Sequence, residues 1–282
     1  EDDEKAFYWL KLAAEQGHCE AQYSLGQKYT EDKSRHKDNE QAIFWLKKAA
    51  LQGHTFASNA LGWTLDRGEA PNYKEAVVWY QIAAESGMSY AQNNLGWMYR
   101  NGNGVAKDYA LAFFWYKQAA LQGHSDAQNN LADLYEDGKG VAQNKTLAAF
   151  WYLKSAQQGN RHAQFQIAWD YNAGEGVDQD YKQAMYWYLK AAAQGSVGAY
   201  VNIGYMYKHG QGVEKDYQAA FEWFTKAAEC NDATAWYNLA IMYHYGEGRP
   251  VDLRQALDLY RKVQSSGTRD VSQEIRETED LL

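Results

Sequence analysis

Residues 91–123 read AQNNLGWMYRNGNGVAKDYALAFFWYKQAALQG, and this stretch decides the fold. In its first part, Ala91, Leu95 and Tyr99 recur every four residues, which places them on one face of a helix with 3.6 residues per turn. The stretch therefore opens with an amphipathic helix, named helix A below.

A second helix follows a glycine turn in the same stretch. Gly102 and Gly104 suit the left-handed backbone found at helix ends, and Asp108 can accept hydrogen bonds from the free amides of a helix start. Beyond Asp108, small alanines and Trp115 mark the buried face of this second helix, helix B. The stretch is therefore predicted to form a helix–turn–helix unit.

The unit recurs along the chain with a nearly constant period. Aligned on the first alanine of helix A, successive copies lie 36, 34, 36, 36, 36 and 36 residues apart. Because neither helix of a unit can bury its apolar face alone, neighbouring units must stack on one another. The aligned alanines are Ala21, Ala57, Ala91, Ala127, Ala163, Ala199 and Ala235.

The shared pattern is A-x-x-x-L-G-x-x-Y-x-x-G-x-G-V-x-x-D-x-x-x-A-x-x-W-Y-x-x-A-A-x-x-G, and it resembles the Sel1-like repeat over essentially the whole chain. The resemblance implies an all-α fold, a right-handed superhelical α-solenoid of about seven helix-turn-helix repeats with terminal half repeats, related to tetratricopeptide arrays. It further implies a bacterial scaffold or adaptor protein that takes part in protein–protein interaction.

The periodicity also predicts the boundaries of the repeats. Residues 1–20 form an N-terminal half repeat with helix B alone, residues 21–270 form seven repeats, and residues 271–282 form a C-terminal capping helix. The seven repeats are 21–56, 57–90, 91–126, 127–162, 163–198, 199–234 and 235–270. Two turns depart from the pattern: residues 30–37 replace the glycine turn of the first repeat, and the second repeat is two residues short.

Two aromatic series are predicted to belong to the core and are left out of the candidate site. The series at the end of helix A is Tyr29, Leu65, Tyr99, Tyr135, Tyr171, Tyr207 and Tyr243. The series of helix B is Trp45, Trp79, Trp115, Trp151, Trp187 and Trp223, with Leu259 in the last repeat.

Composition excludes several classes of protein. With 46% apolar residues, 15% aromatic residues and 2 Pro, the 282-residue chain is neither disordered nor a proline-rich linker. Its net charge of −8 gives no basic surface for nucleic acid, and no apolar run is long enough for membrane insertion. Cys19 and Cys230 are too few and too distant for a disulfide framework, which favours the cytoplasm. The periplasm stays open, because the sequence starts within a repeat and we expect upstream residues to have been removed.

Stacked repeats form an extended concave surface, and the A helices line it in the related tetratricopeptide arrays. Asn side chains donate to and accept from a peptide backbone, while Trp and Tyr supply rigid contact area. We therefore predict that a protein or peptide binds this surface. The candidate residues are Asn59, Trp63, Asn93, Asn94, Trp97, Arg100, Asn129, Asn130, Asp133, Phe165, Trp169, Asn202 and Tyr205.

Two structural alternatives stay open at these positions. The Asn side chains can instead hydrogen-bond between neighbouring repeats, and the Trp side chains can instead pack beneath the next A helix.

The sequence predicts no metal, cofactor or catalytic site. His209 and His244 lack the third and fourth ligands of a usual zinc site, and signatures such as GxSxG and HExxH are missing. A β-lactam-binding or hydrolysing enzyme, as among cysteine-rich relatives, is disfavoured because this chain lacks their disulfides. A structural, self-assembling spacer is the other alternative, although the acidic chain ends favour a monomer through repulsion.

Overall fold

The computed structural model describes residues 2–31, 36–68 and 70–282. Over these residues the chain is all-helical, with sixteen α-helices in two compact units, Glu1–Asn144 (unit 1) and Lys145–Leu282 (unit 2). Unit 1 contains α1 (Asp2–Glu15), α2 (Cys19–Thr30), α3 (Asn39–Leu51), α4 (Thr55–Arg67), α5 (Tyr73–Glu85), α6 (Ser89–Asn101), α7 (Tyr109–Leu121) and α8 (Ser125–Asp137). Unit 2 contains α9 (Lys145–Gln157), α10 (Arg161–Ala173), α11 (Tyr181–Ala193), α12 (Val197–His209), α13 (Tyr217–Glu229), α14 (Ala233–Tyr245), α15 (Leu253–Ser266) and α16 (Ser272–Asp280).

The helices alternate as the sequence predicts. The even-numbered helices α2 to α14 are A helices, and the odd-numbered helices α1 to α15 are B helices. Within each unit the A helix packs on the B helix of its own repeat, as α6 packs on α7, and that B helix packs on the next A helix. Each unit is thus a stack of helix pairs. No helix of the described residues is both long and apolar enough to cross a membrane.

The predicted acidic and amide caps begin the B helices. At α7 the Asp108 carboxylate accepts hydrogen bonds from the amides of Ala110 and Leu111 at 2.8 and 2.9 Å, which satisfies donors that the helix leaves free. Equivalent side-chain caps are Asp38, Asn72, Asp180, Asp216 and Asp252.

The glycine turns have two separate causes. Gly102 ends α6 at φ 76° and donates its N–H to the Met98 carbonyl, so it needs left-handed backbone. Gly104, at φ 74°, lies against the first residue of α5, and a Cβ there would overlap the Tyr73 carbonyl group. The second glycine is therefore required by close approach between repeats as well as by its backbone angle.

The predicted apolar face of helix A is confirmed. Leu95 is fully buried, and Gly96 beside it lies so close to α7 that a Cβ would stand 2.7 Å from the Tyr116 ring. The matching buried residues are Leu25, Leu61, Leu131, Ile167, Ile203 and Leu239.

The prediction for the two aromatic series needs correction. Trp45, Trp79 and Trp187 are buried, but Trp115, Trp151 and Trp223 are only half-buried, and so are the six tyrosines of the helix A series. The residue after each tryptophan is the one that is fully enclosed, and in four repeats it packs against the glycine of helix A, as Tyr116 does against Gly96. These core residues are Leu46, Tyr80, Tyr116, Tyr152, Tyr188 and Phe224.

Buried glutamines add a polar element to the core that the sequence did not reveal. Gln92 is 5% exposed and donates to the Ala84 carbonyl at 3.1 Å, while Gln122 of the next B helix donates to the Gln92 side-chain oxygen at 2.7 Å. The arrangement recurs around Gln22 with Gln52, and around Gln164 with Gln194. Each glutamine thus ties together three successive helices of its unit.

The turns of the first and second repeats, which depart from the sequence pattern, are closed by the same kind of backbone hydrogen bond as the regular turns. Residues 32–35 lie outside the described residues, but the Asp38 amide donates to the Tyr29 carbonyl at 3.0 Å, as Asp108 does to Tyr99 at 2.9 Å. In the short second turn, the Asn72 amide donates to the Leu65 carbonyl.

The C-terminal segment forms α16, which packs on α15. Its apolar contact comes from buried Val271 and half-buried Ile275, whereas Leu281 and Leu282 are exposed and lie beyond the helix.

Candidate functional site

The three tryptophans of the predicted surface share one position in their repeats and one degree of exposure. Trp63 on α4 and Trp97 on α6 are each 43% exposed, and Trp169 on α10 is 44% exposed. The alternative that these side chains are packed beneath the next A helix therefore does not hold. Large apolar side chains repeated at one exposed position need an explanation beyond the core.

In unit 1, two cavities follow one another along the A helices. The larger, of about 630 Å³, is lined by Trp63, Trp97, Asn93 and Asn94 of the predicted set, and also by Asp66. The smaller, of about 250 Å³, lies between α2 and α4, and its lining includes Tyr23, Phe56, Asn59 and Trp63. Trp63 lines both cavities and so forms the wall that they share.

Asn side chains of unit 1 join consecutive A helices. Asn94 Nδ2 donates to Asn59 Oδ1 at 3.2 Å, and Asn130 Nδ2 donates to Asn93 Oδ1 at 3.0 Å. For these four residues the structural alternative, a bond between repeats, is what the structure shows. Asn129 is 8% exposed, and its Oδ1 has no hydrogen-bond partner among the described residues.

Arg100 and Asp133 pair with each other. Arg100 Nη1 donates to Asp133 Oδ2 at 3.0 Å, and the two side chains are 28% and 18% exposed. Burial alone would lower the pKa of Arg100, but the Asp133 carboxylate more than offsets it and raises that pKa. The pair holds α6 against α8.

The candidates of unit 2 have different surroundings. Asn202 donates to the Gly198 carbonyl of its own helix at 3.1 Å, and the Tyr205 hydroxyl accepts from Asn238 at 2.9 Å. Phe165 is half-buried and lines a cavity of about 370 Å³ at the starts of α10 and α12. Among these four candidates, Trp169 presents the most exposed side chain.

Asp66, which is not among the residues predicted from the sequence, lines the larger cavity. Its Oδ2 accepts a hydrogen bond from the Tyr80 hydroxyl at 2.7 Å. Burial raises the pKa of Asp66, although the Tyr80 bond and the Arg67 charge oppose the shift. The signal that could have found Asp66 is its place in the repeat, three residues after an exposed tryptophan.

A second exposed aromatic series on helix B was also missed. Phe44, Phe114, Phe150 and Tyr186 are 47–49% exposed, and each lies edge-on against the tryptophan that follows it, at 4.9–5.1 Å between centroids. The residue before each Trp of helix B gives this series in the sequence.

The described residues contain no group of three or more His, Cys, Asp or Glu side chains placed to hold a metal ion. Cys19 and Cys230 are free thiols, and burial raises the pKa of Cys19. His244 contacts Thr278 of α16, with Nδ1 and Oγ1 3.0 Å apart.

Comparisons with known proteins give the relatives of this chain. The sequence model described as the Sel1 repeat matches eight times, at residues 1–18, 19–54, 55–88, 89–124, 125–160, 161–196, 197–232 and 233–262. The structure is similar to that of c5321, a protective antigen present in uropathogenic Escherichia coli strains, with 36% identity and a TM-score of 0.86. That match covers 93% of this chain but 56% of the antigen. A Sel1 repeat protein from Oxalobacter formigenes is 33% identical with a TM-score of 0.70, and the match covers 76% of this chain and 86% of that one.

Proposed function

Because the chain belongs to the Sel1 repeat family, we propose that it is a non-enzymatic scaffold or adaptor that binds a segment of a partner protein. The segment lies along the A helices, on the concave surface expected of stacked repeats. The observation that carries the proposal is the exposure of Trp63, Trp97 and Trp169 at one repeat position. Trp is enriched among the residues that dominate binding energy at protein interfaces.

The bonds between repeats support binding by a preformed surface. In unit 1, the Asn94–Asn59 and Asn130–Asn93 hydrogen bonds and the Arg100–Asp133 pair fix consecutive A helices relative to one another. A surface held in this way loses little conformational entropy when a ligand binds, so more of the contact energy appears as affinity.

The two cavities of unit 1 support an extended ligand. They lie on either side of Trp63, and each is open enough to accept a side chain. An extended segment that crosses Trp63 would place one side chain in each. We propose that Asn93 and Asn94 contribute as the polar part of this surface, in addition to their bonds between repeats.

The test compares two pairs of exposed aromatic residues. A tagged full chain captures proteins from an extract of its native organism, and the captured proteins are quantified by mass spectrometry. We expect Trp97→Ala with Trp169→Ala to reduce capture at least about tenfold, because truncation of an interface hot spot costs about 2 kcal/mol or more.

The control is Phe114→Ala with Phe150→Ala, which removes side chains of similar exposure, one in each unit, from helix B. Capture by this control should match the wild type. Unchanged capture by the tryptophan variant, with its circular dichroism intact, would refute the proposal. Loss in the phenylalanine variant alone would place the partner on the B helices.

Location and oligomeric state are part of the same proposal. We propose that the protein acts as a monomer in the cytoplasm, where thiols such as Cys19 and exposed Cys230 stay reduced. Cell fractionation and light scattering at several concentrations test these two statements. Recovery from the periplasm would contradict the first, and a mass that rises with concentration the second.

A further inference from the structure

The larger cavity of unit 1 contains a carboxylate with an unused acceptor. Asp66 lies in the last turn of α4, and 10% of its side chain is exposed. Its Oδ2 accepts a hydrogen bond from the Tyr80 hydroxyl, but its Oδ1 has no hydrogen-bond partner among the described residues. A buried acceptor without a donor costs free energy, so a ligand that brings a donor recovers it.

Two indole rings line the same cavity. Trp63 and Trp97 each leave 43% of the side chain exposed. The face of an indole ring attracts cations, and a planar guanidinium can also stack on it. The carboxylate and the faces of the two rings are groups that attract a cationic side chain.

The chain already brings one guanidinium to this place. Arg67 lies 5.2 Å from the centroid of the Trp63 ring, and its Nε is 3.7 Å from Asp66 Oδ1. That distance is an ion pair but is too long for a hydrogen bond. Since the Arg67 side chain is 67% exposed, it can move away when a better-placed cation enters.

We propose that this cavity binds an arginine side chain of the partner segment, a specificity that rests on the proposed function. The incoming guanidinium lies against the Trp63 and Trp97 rings, donates to the Asp66 carboxylate and displaces Arg67 toward solvent. An acidic side chain is repelled by Asp66, and an apolar one leaves Oδ1 without a donor. Arginine is preferred to lysine because its guanidinium is planar and more weakly hydrated.

Unit 2 offers an internal comparison. Trp169 is as exposed as Trp63, but the residue three positions later is Asn172 instead of an aspartate. If the carboxylate decides the specificity, arginine must prefer the Trp63 site to the Trp169 site.

The experiment uses the full chain and NMR of the Trp indole N–H groups, with Trp63→Phe, Trp97→Phe and Trp169→Phe to assign the signals. Nα-acetyl-L-arginine amide is titrated in, and the citrulline amide, of the same shape but without charge, is the control at matched ionic strength. The Trp63 and Trp97 signals should shift with arginine amide, and the Trp169 signal should stay in place. Citrulline amide should bind more weakly.

Two variants test the two charged side chains of the cavity one at a time. Asp66→Asn keeps the shape and an acceptor for Tyr80, and should weaken arginine binding at least about tenfold, because a bond to a charged group is lost. Arg67→Gln should strengthen binding, because it removes the internal competitor.

The proposal is overturned if arginine amide shifts neither the Trp63 nor the Trp97 signal, if it shifts Trp169 equally, or if Asp66→Asn binds as well as the wild type. Preferential binding of Nα-acetyl-L-glutamate amide, lost in Arg67→Gln, would also overturn it and would identify an acidic ligand. If these tests fail while capture still depends on Trp97 and Trp169, the binding surface stands and only its arginine specificity falls.

Discussion

Arg100 on α6 and Asp133 on α8 form a charged hydrogen bond of 3.0 Å that joins two consecutive A helices. At 28% and 18% exposure, both side chains are largely withdrawn from water. Breaking such a pair costs more free energy of unfolding than breaking one on the open surface, because removing one member leaves the other charge poorly solvated.

We therefore predict that Asp133→Asn lowers the free energy of unfolding by about 1–2 kcal/mol, as the Arg100 charge loses its partner. Urea unfolding followed by circular dichroism measures the loss. Asp137→Asn is the matched control, because the Asp137–Lys139 pair is 43% and 47% exposed. The control should cost less than about 1 kcal/mol, and an equal loss in both variants would contradict the prediction.

The buried glutamines lead to a second prediction. Gln92→Ala removes the side-chain donor to the Ala84 carbonyl and the shorter of the two bonds that Gln122 Nε2 donates. We expect it to lower the free energy of unfolding by about 1–3 kcal/mol, because two hydrogen bonds of about 0.5–1.5 kcal/mol each are lost.

The control for Gln92 is Gln81→Ala, whose side chain bonds only to Glu85 on the surface. Surface substitutions of this kind usually change stability by less than about 0.5 kcal/mol. Equal urea midpoints for the two variants would show that the bonds of Gln92 contribute nothing net.

A third prediction concerns the stability of the protein at acidic pH. His124 Nδ1 accepts a hydrogen bond from the Ala127 amide at the start of α8, which requires that nitrogen to be unprotonated. Burial lowers the pKa of His124 below its usual 6.5, although Asp126 opposes the shift. As the pH falls below about 6.5, His124 becomes protonated in the unfolded chain while it stays neutral in the folded chain. The free energy of unfolding therefore decreases until the pH reaches the lower pKa of the folded state.

His124→Asn should remove this part of the stability loss at acidic pH, because asparagine can cap the helix without titrating. An asparagine already caps the matching helix α10, where Asn160 Oδ1 accepts a hydrogen bond from the Ala163 amide at 3.0 Å. Melting temperatures at pH values between 7 and 5 measure the effect, and His18→Asn, at an exposed position that makes no side-chain cap, is the control. An unchanged pH profile in His124→Asn would contradict this account.

The repeat period predicted the helices because the deciding contacts lie within one repeat. Leu95, Gly102 and Asp108 each have a local reason to occur, namely a helix face, a left-handed turn and a helix cap. The family resemblance and the matching structures agree with this fold.

Details that depend on the next repeat could not be predicted in this way. The burial of Gln92 follows from an acceptor on α5 and a donor on α7, and the pairing of Asn93 with Asn130 follows from the rotation between two A helices. At the candidate site, the sequence identified the exposed tryptophans but missed Asp66. An aspartate in one repeat has no counterpart in the periodic pattern.

The fourth prediction tests which aromatic residue of helix B holds the core together. Trp115 and Tyr116 are adjacent, so they lie about 100° apart around the helix, and both fit a broad apolar face. The structure separates them, because the Tyr116 ring meets the bare backbone of Gly96 and is fully buried, whereas Trp115 is half-buried. Tyr116→Ala should therefore cost about 3–5 kcal/mol of unfolding free energy, through lost burial and the cavity it leaves.

Trp115→Ala is the matched comparison in the same helix turn. Although tryptophan is the larger side chain, part of its surface already lies in water, so we expect a loss of about 1–2 kcal/mol. Both losses are measured by urea unfolding, with far-ultraviolet circular dichroism to check that the helices persist without denaturant. A larger loss at Trp115 than at Tyr116 would contradict this account of which residue holds the core together.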